Sequence, residues 1–197
     1  MAEKILIEVY KTKNNDELTQ ILSDPDSRLE TGSGAAITAS VAAAFLCRAV
    51  KLAEREVESG ERLAYLARNA ETLRKYMVHL IDEDVKCRGP LRRAMQEGGA
   101  REVEAARHPA VSICEEIVNM MSQCLDMLLE VTALCPEAAH HYVLAGADCA
   151  MAAIKSAIRY ILDMSGKCSE ETYRFVTRRE NEITLERCQT VYEQITK

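Results

Sequence analysis

An all-α bundle of five to six mostly long helices, preceded by a short N-terminal segment that reads as a strand or an arm, is the fold this sequence predicts. Three observations predict it. The 197-residue chain holds eight glycines, four prolines, two phenylalanines and no tryptophan, and 48% of it is hydrophobic. The turns and aromatic strands of a sandwich or barrel are missing, and the abundant alanine, leucine, methionine and glutamate favour helix. Apolar residues recur at intervals of three and four along most of the chain. No break in composition divides it, so residues 1–197 are expected to form a single domain with a substantial core, residues 1–12 being the arm.

The elements follow in order. Lys4, Ile5, Leu6, Ile7, Glu8, Val9 and Tyr10 form a β-branched, partly alternating run. It is either a strand paired across a dimer axis or an extended terminus. Asn14 or Asn15 caps a short helix through Leu22, stopped by Asp24 and Pro25. A helix entered at Gly34 runs to about Ser59, apolar and small at first, charged from Lys51 to Glu58. After Gly60 a third helix carries Leu63, Leu66, Ala70, Leu73, Met77, Leu80 and Ile81 on one face, and Gly89-Pro90 is expected to kink or end it. Residues 91–107, with Gly98-Gly99, read as a short helix and a surface connection. Pro109 fits the first turn of a long helix with Val111, Cys114, Ile117, Val118, Met121, Leu125 and Leu128 on its apolar face. Pro136 opens the next, over 138–164, whose alanines and Gly146 suit it to burial against the alanine-rich second helix. Gly166 ends it, and Ser169, Glu170 and Glu171 start a last amphipathic helix through Ile195.

A formal net charge of −6 without a dense basic stripe speaks against nucleic acid as a partner. No apolar run approaches the roughly 20 residues of a membrane span, and no signal-peptide core stands at the N-terminus, so a cytoplasmic location away from membranes is expected. Cys47, Cys87, Cys114, Cys124, Cys135, Cys149, Cys168 and Cys188 include no C-x-x-C pair. They read as reduced core residues, and no metal site is expected.

Two stretches carry chemistry. Gly32, Ser33 and Gly34 stand before the run Ala35 to Ala44. Glycines ahead of a helix let exposed N–H groups meet an anionic or polar ligand, and they equally permit a tightly packed helix start. Asp82, Glu83 and Asp84 put three carboxylates in one turn; Asp82 and Asp84 diverge by about 200° and cannot share a face. An aspartate turned inward among Leu80, Ile81 and Val85 would have a raised pKa and accept a proton near neutrality. The alternative is three solvated carboxylates offset by Lys86 and Arg88.

From about Asn15 onward the chain resembles the cyclodeaminase/cyclohydrolase family of one-carbon tetrahydrofolate enzymes, in its formiminotransferase-cyclodeaminase and methenyltetrahydrofolate cyclohydrolase branches. The segments LTQILSDPDSRLETGSGAAITASVAAAF and LIDEDVKCRGPLRRAM, then Pro109 and RYILDM, carry the resemblance. It implies a helical homodimer whose substrate is a tetrahydrofolate derivative, with no metal. The flat pterin would lie between helices near the dimer interface. Asp84 matches the family's acid/base and Asp82 the first aspartate of the same motif. Gly32 and Gly34 match two glycines of its loop, with Ser33 between them and Ala35 in place of the serine. CPEAAHH sets His140 and His141 on a Ser-Asp pair, and Asp163, beside Tyr160, stands at a final asparagine. Those positions, Gly32, Ser33, Gly34, His140, His141 and Asp163, are the implied substrate contacts. Adjacent histidines on a helix point about 100° apart, so at most one faces a pocket; two surface histidines are the alternative. Cys87 and Arg88 replace an aromatic segment; Arg88 is expected at the surface, the alternative being a cation offered to a substrate carboxylate. The resemblance implies either 5,10-methenyltetrahydrofolate hydrolysis or cyclisation of 5-formiminotetrahydrofolate with release of ammonia. The departures leave open an altered family member that binds a ligand or partner as a helical dimer.

Overall fold

The computed structural model describes residues 9–56, 60–134 and 137–197. Within them lie α1 (Asn15–Ser23), α2 (Thr31–Glu56), α3 (Glu61–Glu97), α4 (Ala100–Leu134), a 3-10 turn at Glu137–Ala139, α5 (His140–Gly166) and α6 (Glu171–Thr196). No strand occurs among the described residues. Residues 4–8 of the expected strand or arm lie outside them. Tyr10, where that segment ends, is buried in the core.

The bundle is organised around α2, which packs on α3, α4 and α5, while α6 lies over α4 and α5. Composition explains why α2 is central. Ala35, Ala36, Ala39, Ala42, Ala43, Ala49 and Ala53 are all buried, and their small side chains let neighbouring helices approach closely. Gly146 of α5 does the same from the other side: a Cβ there would come within 3.2 Å of Leu128 and 3.3 Å of Phe45. Leu46, Leu66, Met77, Leu80, Ile117, Met121, Leu125, Leu128, Ile154 and Ile161 fill the space between the helices. At the edge, α1 starts on a capping box in which the Asn14 side chain accepts from Glu17 N–H and Glu17 accepts from Asn14 N–H.

Three boundaries differ from the sequence expectation. Pro90 and Pro109 stop nothing: each lies inside a helix, α3 running to Glu97 and α4 beginning at Ala100. Proline forfeits one hydrogen bond, to the carbonyls of Lys86 and Ala105 respectively, and strains one turn. Buried Arg88 and Leu91 beside Pro90, and buried Ala110 and Val111 beside Pro109, hold those turns against the bundle. The break falls instead at Gly98-Gly99. The second helix also begins at Thr31 rather than Gly34, so the glycine segment is its first turn.

Contrary to the expectation about apolar runs, Thr31–Arg55 and Ala100–Leu134 have the length and hydropathy of membrane spans. In the fold their apolar faces form the bundle core. Cys47, Cys114, Cys124, Cys168 and Cys188 are buried, Cys87 and Cys149 partly so; Cys135 lies outside the described residues.

Candidate functional site

The first turn of α2 docks against the turn of α3 that holds the aspartates. The Glu30 carbonyl accepts from Gly34 N–H at 2.9 Å, closing the first helical turn. That turn aims Gly32 and Ser33 at α3. Ser33 and Asp84 are both 0% exposed, and the Ser33 hydroxyl donates to Asp84 Oδ2 at 2.6 Å across 51 positions of sequence. Gly32 is there because nothing larger fits: an added Cβ would meet Asp84 Oδ1 at 2.2 Å and Arg88 Nη2 at 2.7 Å. Gly34 points elsewhere, towards Leu22 of α1.

Asp84 is not alone. Arg88, one turn on, donates from Nε to Asp84 Oδ1 at 2.9 Å and from Nη1 to Glu30, and its guanidinium carbon sits 4.1 Å from the centre of the Tyr160 ring. The other Glu30 oxygen accepts from Arg92 at 2.9 Å. Arg88 is only 4% exposed, which overturns the expectation of a surface arginine. Burial works against the Arg88 charge, yet the Asp84 carboxylate, then Tyr160 and Glu30, hold its pKa above the ordinary arginine value. Burial pushes the Tyr160 hydroxyl up to about 12 although Arg88 pulls the other way, and burial with the Asp84 charge pushes the Cys114 thiol up to about 12. The cluster is a neutralised, largely dry polar knot between three helices.

The remaining sequence candidates lie apart from it. Asp82 is buried but faces the N-terminal segment, where its Oδ1 accepts from Tyr10 N–H at 2.7 Å and Lys11 N–H at 3.2 Å. The two aspartates diverge as the helical spacing requires, each with its own partners. Glu83, between them, pairs outward with Lys86 at 2.7 Å. Asp163 is exposed and paired with Lys167 at 2.7 Å. His140 and His141 are exposed at the start of α5. Their neighbour Tyr142 stacks on Phe45, ring centres 6.4 Å apart, which lies thirteen residues or ~20 Å along α2 from Gly32. A single chain therefore unites Gly32, Ser33 and Asp84, and not Asp82, His140, His141 or Asp163.

Arg88, Glu30, Arg92 and Tyr160 complete the cluster, and they are not among the site residues the sequence implies. Arg88 and Arg92 had a signal, because they follow Asp84 at successive four-residue steps on one helical face. Glu30 had none, since only the docking of α2 on α3 brings it there. Beside the cluster opens a cavity of about 310 Å³, lined by Arg28, Val85, Arg88, Gly89, Arg92 and Arg93. No group of three His, Cys, Asp or Glu residues able to hold a metal occurs among the described residues.

Comparison with known proteins bears on what this arrangement is. The crystal structure of formiminotetrahydrofolate cyclodeaminase from Thermotoga maritima superposes with a TM-score of 0.84, covering 94% of this chain and 94% of that one at 15% sequence identity. At that identity the likeness shows a shared fold. No curated protein sequence matches the chain. The sequence model for formiminotransferase-cyclodeaminase matches residues 16–182, a span that contains the glycine turn, the aspartates and Tyr160. The chain belongs to the formiminotransferase-cyclodeaminase family.

Proposed function

We propose that the protein binds a tetrahydrofolate derivative and acts in one-carbon chemistry, hydrolysing 5,10-methenyltetrahydrofolate or cyclising 5-formiminotetrahydrofolate with release of ammonia. The Ser33–Asp84 hydrogen bond carries this reading. It joins the two motifs on which the family resemblance rests, in a chain that shares 15% identity with the cyclodeaminase of the same fold. The chemistry is proton transfer, in which a carboxylate takes the proton of the water that adds to the electrophilic methenyl carbon. Asp84 is the residue assigned that role, with Ser33 orienting one oxygen and Arg88 leaving the other when substrate enters. The assembly proposed is a homodimer, because the outer face of α2 leaves Val41 and Ala44 exposed, with Ile37 and Phe45 only partly covered.

Arg88 favours a second reading. Its guanidinium fills the space next to Asp84 and pairs with it, as suits a family member that binds the folate without turning it over. One experiment separates the two. Methenyl hydrolysis is followed by absorbance for wild type, Asp84→Asn and Asp82→Asn, with folate binding by calorimetry and a thermal melt of each. The enzyme reading expects Asp84→Asn to remove most turnover while keeping affinity, and Asp82→Asn to cost less because that residue holds the N-terminal segment. Binding without turnover in wild type gives the second reading. Neither binding nor turnover leaves the fold alone.

A further inference from the structure

Four arginines, Arg28, Arg88, Arg92 and Arg93, line the 310 Å³ cavity in a protein whose formal net charge is −6. The carboxylates that answer them are two. Asp84 pairs with Arg88, and Glu30 bridges Arg88 and Arg92. Arg28 and Arg93 have no ion-pair partner among the described residues, so a surplus of two positive charges faces the cavity. Arginine holds its charge at every pH of interest, and the surplus is permanent. Arg88 itself is spent on the Asp84 side: its Nη2 is buried against Gly32, with no hydrogen-bond partner and out of reach of the cavity.

Glu30 shows what the cavity accepts. Its carboxylate, on a side chain 42% exposed, presents one oxygen to Arg88 and the other to Arg92. Planar forks suit planar carboxylates, which they bind through two parallel hydrogen bonds. We infer that the cavity is a dicarboxylate site, with Arg28 and Arg93 as its free cations and Arg92, shared with Glu30, as its third contact. Its volume is at the small end of ligand pockets, typically ~300–1,000 Å³, and fits a short dicarboxylate rather than an extended anion. Where the two carboxylates are the glutamyl end of a folate, the inference rests on the proposed function; affinity for a free dicarboxylate does not depend on it.

The test is calorimetric titration of the full-length protein with glutarate, with p-aminobenzoylglutamate and with inorganic phosphate. Wild type is compared with the double variant Arg28→Gln/Arg93→Gln. Both residues are exposed, so the variant is expected to melt with wild type, and a melt verifies it. Glutarate and p-aminobenzoylglutamate should bind, and the double variant should weaken both by at least about tenfold, the loss of one charge-assisted hydrogen bond or more. Stronger binding of p-aminobenzoylglutamate than of glutarate identifies the folate end as the source; equal binding identifies a free dicarboxylate. No heat with glutarate, equal affinity in the double variant, or phosphate binding as tightly as glutarate would overturn the site. The two proposals fail separately. Glutarate binding lost in the double variant, with no folate bound, sustains the site and removes the folate reading. Folate bound or turned over equally by wild type and double variant, with no glutarate bound by either, does the reverse.

Discussion

Gly32→Ala tests how tightly α2 is seated on the aspartate turn. The new Cβ would lie 2.2 Å from Asp84 Oδ1, 2.8 Å from Asp84 Cγ and 2.7 Å from Arg88 Nη2, where ordinary contact begins near 3.4 Å. The carboxylate must retreat by about 1 Å, or the helix must lift. Neither is free, because Asp84 is tied to Ser33 at 2.6 Å and to Arg88 at 2.9 Å. Overpacking a core costs ~1–3 kcal/mol and breaking one side of a buried ion pair ~3–5 kcal/mol. The two overlap and do not add. Alanine recovers at most ~1 kcal/mol of helix propensity, leaving a net loss of about 3 kcal/mol. Urea unfolding followed by far-ultraviolet circular dichroism should show the midpoint falling by about 1–1.5 M for a slope of ~2–3 kcal/mol/M. Gly34→Ala is the control two residues on: its Cβ meets only Leu22, at 3.9 Å, and it should match wild type or exceed it slightly. A midpoint for Gly32→Ala within about 0.3 M of wild type, or an equal fall in Gly34→Ala, would refute the reasoning.

Asp82→Ala removes the acceptor of two N–H groups and should free the segment around Tyr10; trypsin should then cut after Lys11 or Lys13 about tenfold faster or more, at unchanged helical content. Equal cleavage rates would show that Tyr10 burial suffices to hold it. The Tyr160 hydroxyl, raised by burial from 10.0 to about 12, contributes stability that is full below pH 10 and lost as pH rises towards 12. An absorbance titration at 295 nm should contain a late component that Tyr160→Phe reduces, Tyr76, raised to about 12 mainly by its hydrogen bond to Glu116, supplying what remains; an unchanged titration would place Tyr160 in solvent. Pro109→Ala restores an N–H to face the Ala105 carbonyl and should stabilise the chain by ~1–3 kcal/mol in the same urea assay. A loss would mean that α4 needs its bend.

Sequence periodicity located the helices well because the core residues recur on one face over many turns; Leu63, Leu66, Ala70, Leu73, Met77 and Leu80 are all buried as their spacing required. It misplaced the breaks. A proline weighs against a helix locally, and the packing that holds α3 and α4 together around Pro90 and Pro109 is not local. The candidate site divides the same way. Asp84 and the glycine turn were legible as separate motifs, and the fold joins them through Ser33. Arg88 reads as solvated because it stands close to Lys86 in a charged stretch; its burial is made tolerable by Asp84 one turn back, by the ring of Tyr160, 72 residues on, and by the Glu30 carboxylate, 58 residues back. His140 and His141 are implied by the spacing of CPEAAHH, which carries no information about which end of the bundle a residue occupies.

The contact between Tyr10 and Asp82 spans 72 positions, and this orders events as the chain leaves the ribosome. Tyr10 has its anchor at Asp82, which emerges only after α1, α2 and more than half of α3 have been made. Until then the Asp82 acceptor for the Tyr10 N–H has not been made. Docking of Tyr10 closes a loop of 72 positions, on the same turn of α3 that holds Asp84. A change at Tyr10 is therefore felt first at that turn, whereas one in α6 is not in contact with it.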